Sequence, residues 1–146
     1  MNAGLMALVL LAGAGLVVQV GMNAALRGHF QSATLAVLVN FGVGTLALLA
    51  FALATPTGWP ARGTIAAVPA WAWFGGLLGV FYVATATIAG PRIGAVLLLA
   101  LGVTGQMIAS LLIDHYGWLG FERDPVSATR LLGAALLVAG VLLVSR

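Results

Sequence analysis

Five long apolar stretches run along the chain, separated by short polar or Pro- and Gly-containing breaks. The first covers about residues 3–26, with Gln19 and Asn23 as its polar members, and a polar turn over residues 27–32 follows. The second covers about 33–54 and is interrupted by Asn40 and Thr45; residues 55–63 then read as a loop by their Pro and Gly content. The third covers about 70–89, and Gly90-Pro91-Arg92 is expected to end it, because proline cannot continue the hydrogen-bond ladder. The fourth covers about 93–113. The fifth is short and is placed at about 127–145, with Ser127 or Thr129 available as N-cap. Crossing a hydrocarbon core ~30 Å thick takes about 20 helical residues, or about 10 in an alternating strand. Uniform apolarity over such lengths therefore predicts helices. The expected fold is an all-α integral membrane protein with five transmembrane helices per chain, forming a single transmembrane domain over residues 1–146 with no internal repeat.

Composition narrows the function classes. Of 146 residues 62% are hydrophobic and only 6% are charged, too few charges to cover a soluble fold, where about 25% is usual. The sequence pI near 10.7 reflects an excess of only +3. The six arginines are scattered singly rather than gathered into the patch that phosphate backbones require, so no nucleic-acid partner is expected. There is no cysteine, hence no disulfide and no thiolate chemistry. The N-terminus lacks the basic region of a secretory signal, so the first helix is expected to be retained, although the small residues Ala12, Gly13 and Ala14 resemble a cleavage site. Trp59, Trp71, Trp73, Trp118 and Phe121 suit the headgroup zone. The chain has no HExxH, no glycine-rich phosphate loop, no supported Ser-His-Asp set and no carboxylate pair at depth. It is read as a non-enzyme, without cofactor or metal.

Orientation in a membrane follows the excess of Lys and Arg in cytoplasmic loops. With five spans, Arg62, Arg123 and Arg130 fall on the side of the N-terminus, and Arg27, Arg92 and Arg146 fall on the other, so the bias is 3 − 3 = 0. A chain without bias can insert both ways, and two opposed copies then form an antiparallel homodimer, the inverted-repeat plan of many transporters built from two chains. The rival reading is one orientation chosen by helix hydrophobicity, or a partner of opposite bias.

Polar side chains in hydrocarbon are costly and usually face a partner or a wet cavity. Gln19 and Asn23 are four apart, and Arg27 continues their face. On the fourth helix Gly102, Gln106, Ser110 and Asp114 are also four apart; Asn40 marks the second helix, and Tyr82 and Thr85 the third. The candidate solute-binding set is Gln19, Asn23, Asn40, Tyr82, Thr85, Gln106 and Ser110 around a central cavity, with Arg27 and Arg92 at its mouths able to attract an anion or to snorkel to headgroups. The alternative is that these amides and hydroxyls bond between helices and hold the bundle together. Asp114 beside His115 reads either as a titrating pair or as a solvated interfacial one. Small residues let helix backbones approach closely. Gly75 and Gly79 form a GxxxG pair, and Gly133 and Gly140, seven apart on the last helix, are read as a subunit interface.

These residues carry a family resemblance. Gln19-Val20-Gly21-Met22-Asn23-Ala24-Ala25-Leu26 resembles the first-helix signature of the YdcZ-like family of the drug/metabolite transporter superfamily. Residues 40–46, 75–83, Pro91-Arg92-Ile93-Gly94-Ala95 and 105–117 match the same family in order, over nearly the whole chain. The resemblance implies a five-helix, half-size unit of the cytoplasmic (inner) membrane that works as a dimer, often of dual or opposite topology. Residues 133–141 are similar to the last helix of small multidrug resistance transporters, where seven-spaced glycines pack the dimer; that role is carried to Gly133 and Gly140. Those transporters have an essential glutamate in the first helix, whereas this chain has Gln19 and Asn23, which argues against proton-coupled export of cationic drugs. The expected function is a secondary transporter or facilitator of a small polar organic solute, with alternating access in the dimer. The alternatives are a dual-topology channel or a non-transporting membrane subunit.

Overall fold

The structure, a computed structural model, describes residues 2–56 and 58–145. Of the sequence features used above, Arg146 in the arginine tie and Thr57 in the loop lie outside the described residues. The element order is α1 (Ala3–Phe30), α2 (Ala33–Ala54), the short α3 (Arg62–Ala66), a 3-10 turn (Ala70–Phe74) leading into α4 (Gly75–Ile93), α5 (Ala95–Tyr116) and α6 (Ala128–Val144). A second 3-10 turn, Trp118–Gly120, precedes α6. No strand occurs among the described residues. Among the described residues four segments are long and apolar enough to cross a membrane: Ala3–Phe30, Ala33–Ala54, Ala70–Ile93 and Ala95–Tyr116. The fifth, α6, has 17 residues and is about 26 Å long at 1.5 Å per residue.

The helices are capped much as their sequences suggest. Ser32 caps α2 by accepting from the Leu35 amide, and Ser127, one of the two expected caps, does the same for the Arg130 amide of α6. Two expected breaks are corrected. Residues 27–30 are not a polar turn but the last turn of α1, which stops at Gln31 in the left-handed region with φ 52°. Nothing in Arg27-Gly28-His29-Phe30 breaks a helix, and the basic Arg27 and His29 are favourable at its C-terminal end. Pro91 does not end α4 either: the helix runs on to Ile93. The break comes at Gly94, whose φ of 83° and ψ of 154° are open only to glycine. Gly94→Ala is accordingly expected to cost about 1–3 kcal/mol of stability. Unfolding in detergent checks this, with Gly13→Ala, at an open helical position, as the harmless control.

The chain divides into two compact units, residues 1–91 and 92–146. In the first, α1 packs along α2, and the Phe41 ring of α2 lies against Gly79 of α4, where a Cβ would sit 3.7 Å from Cζ. Gly79 thus provides the close approach expected of the GxxxG pair, whereas a Cβ on Gly75 would meet nothing. The buried apolar residues are small: Ala36, Val37, Val83 and Ala86. In the second unit α5 packs along α6. Leu10 is 76% exposed and Leu143 75%, and large apolar side chains cover most of the outer surface. A helix that is apolar all round belongs in lipid or against another apolar surface.

Candidate functional site

The first unit holds three of the candidate amides, Gln19, Asn23 and Asn40. Gln19 on α1 donates from Nε2 to Asn40 Oδ1 on α2 at 3.0 Å, across a half-buried gap. Asn23, one turn further along α1, is completely buried, and neither its Oδ1 nor its Nδ2 has a hydrogen-bond partner. Two amides on one helix face therefore have different fates. Gln19 is bonded as interhelical glue would be, and Asn23 is not. A buried amide without a partner costs about 1–3 kcal/mol, so it is not explained by packing. On α4 Tyr82 is half-buried and Thr85 is exposed.

Thr87 was not among the residues singled out from the sequence, and it is the other fully buried polar side chain of the unit. Its hydroxyl donates to the Val83 carbonyl at 2.7 Å, within its own helix. Its carbonyl accepts from Arg27 Nη1 at 3.3 Å. The signal for this lay in the sequence, because a helical proline leaves without a donor the carbonyl four residues before it. Arg27 thus has a neutral partner, and its environment is half-buried. A cavity of about 280 Å³ beside it is lined by Ala24, Arg27, Gly28, Gln31 and Pro91.

The second unit places the remaining candidates on α4's last turn, α5 and α6. Arg92 is exposed, as are Gln106 and Ser110. Ser110 lines a cavity of about 290 Å³ with Met107, Leu111, Asp114, Arg130 and Gly133. Gly133 and Gly140 are half-buried, and a Cβ at either would meet nothing within 4 Å. Asp114 and His115 do not form a pair with each other. Arg130 bridges Asp114, at 3.3 Å, and Asp124, while His115 Nδ1 accepts from the Val126 amide at 3.2 Å. The Asp124 amide donates to the Asp114 carbonyl at 2.8 Å, and Arg123 Nε to the His115 carbonyl at 3.2 Å. These bonds fold the loop back onto the end of α5, with Gly117 at φ 67° making the turn against Arg123. Each ion pair is about a third exposed or more, which limits such a pair to about 0–1 kcal/mol. Asp114 and Asp124 therefore fasten the loop to the end of α5. Among the described residues no cluster of His, Asp or Glu could hold a metal ion.

A family model described as "Putative inner membrane exporter, YdcZ" matches residues 4–143. No curated protein and no solved structure matches the chain.

Proposed function

The chain belongs to the YdcZ family and is a multi-pass protein of the inner membrane, and on that premise we propose that it carries a small polar organic solute outward, by alternating access in an antiparallel homodimer of five-span chains. The observation that carries the reading is Asn23. A buried amide with both atoms unpartnered is a recognition group that a solute can satisfy. Gln19 and Asn40 hold each other in place one turn away, and their amides have further lone pairs and protons to offer. Tyr82 and Thr85 add hydroxyls from α4, Gln106 an amide and Ser110 a hydroxyl from the exposed face of α5, and Arg27 and Arg92 supply positive charge. The open, small faces of Gly133 and Gly140 suit close approach of a second copy. No carboxylate lies within α1, α2 or α4, so exchange of a cation for a proton at a buried acid is not part of the proposal.

Reconstitution into liposomes with a panel of small neutral, cationic and anionic solutes tests it. Slow, saturable flux of one class is expected. Fast flux without saturation would replace the carrier by a pore, and absence of flux for every class would leave a non-transporting membrane subunit.

A further inference from the structure

Pro91 has no N–H, so the Thr87 carbonyl loses the donor that the helix would otherwise supply. Arg27 fills that position from α1. A guanidinium has five N–H donors in a fixed fork, and apart from this bond those of Arg27 meet no partner among the described residues. Its charge is also unanswered. Residues 1–91 contain no Asp and no Glu, so the unit has no counter-ion for a half-buried arginine. The cavity of about 280 Å³ opens beside it. Another lining side chain, Gln31, spends its amide nitrogen on the Gly28 carbonyl. One turn before Arg27 stands the buried, unpartnered Asn23.

We propose that this cavity binds an oxyanion, a carboxylate or phosphate group, with Arg27 as its charged ligand and the Thr87 carbonyl as the acceptor that holds Arg27 in its absence. A carbonyl is a neutral acceptor. An oxyanion makes charge-assisted bonds roughly twice as strong and matches the guanidinium fork bidentately. The anion therefore wins the exchange, and the competing carbonyl keeps it from binding too tightly to leave. Thr87 is a positioning residue here, acting through Arg27. The proposal gives the solute of the preceding section a negative group and rests on that reading only for the solute being transported. The same oxyanion chemistry is offered by a free carboxylate and by a phospholipid headgroup.

The test titrates the full-length protein, in an uncharged detergent, with propionate and with propionamide, which has nearly the same shape and no charge. Saturable propionate binding is expected, with propionamide weaker by about tenfold or more. Arg27→Gln is expected to abolish the preference and Arg27→Lys to keep it. Pro91→Ala is expected to tighten propionate binding severalfold, because the new amide takes over the Thr87 carbonyl and frees the guanidinium. In lipid nanodiscs, phosphatidylglycerol that is retained by the wild type, lost with Arg27→Gln and competitive with propionate assigns the oxyanion to the headgroup. Equal propionate affinity with and without that lipid assigns it to the solute. No Arg27-dependent binding of either ligand overturns the site, and unchanged affinity in Pro91→Ala overturns the role given to the carbonyl. Flux of a neutral solute with no oxyanion binding removes this site and leaves the transport reading intact. Oxyanion binding without flux does the reverse.

Discussion

Asn23→Leu is expected to leave the protein folded and at least as stable as the parent, and to lose transport. Leucine has the branched outline of asparagine without its polar atoms. The substitution removes a buried amide whose two polar atoms find no partner, a liability of about 1–3 kcal/mol. Part of that gain returns as strain, since leucine is larger and the site is fully enclosed. Flux is expected to fall about 10- to 100-fold, the effect of losing one or two hydrogen bonds to a solute and leaving its polar groups bare. Unfolding in detergent and flux in liposomes read the two effects separately. A residue that only holds helices together would move them in the same direction. Loss of stability together with loss of flux would therefore return Asn23 to a structural role. Gln19→Leu provides the contrast, because Gln19 has a protein partner in Asn40. It is expected to cost the about 0.6 kcal/mol typical of an interhelical bond.

The second large effect concerns orientation. A cysteine placed at Asn2, in a chain with no other cysteine, is expected to be labelled from both faces of the membrane in comparable amounts. Gly58→Arg with Ala61→Arg adds two charges to the side of Arg62 and should leave one orientation. Arg62→Gln with Ser145→Arg tilts the count the other way. Either variant alone is expected to lose most of its flux, because opposed pairs become rare, and co-expression of the two is expected to restore it. The positions chosen are exposed and lie outside the proposed binding set. Full flux from either variant alone would remove the antiparallel arrangement.

How far the sequence could be read depended on whether each feature was local. Ser127 was legible as a cap because an N-cap is decided within four residues. The face shared by Gln19 and Asn23 was legible from helical spacing, but their opposite fates were not. Whether an amide finds a partner depends on Asn40, on another helix. The end of α4 was misplaced for the same reason. Proline removes a donor, and the sequence around Pro91 shows nothing that replaces it; the replacement is Arg27, 64 positions earlier. Once the break is moved to Gly94, Thr87 acquires a role that spacing alone did not assign. Asp114 and His115 read from the sequence as a titrating pair or a solvated one. In the structure they are separately engaged in folding back a loop, Asp114 through Arg130 and His115 through the Val126 amide.

The length of α1 has a consequence of its own. At 28 residues it measures about 42 Å, some 12 Å more than the ~30 Å of hydrocarbon it crosses. Tilt absorbs part of such an excess, and the rest must emerge from one leaflet or the other. Arg27 stands in the last turn, so the thickness of the host bilayer sets how deep its charge lies. Longer acyl chains draw the guanidinium toward hydrocarbon, and shorter ones lift it among the headgroups. The choice of reconstitution lipid thus becomes an adjustable parameter of the protein, and dimyristoyl and dioleoyl membranes should not be expected to report the same affinity.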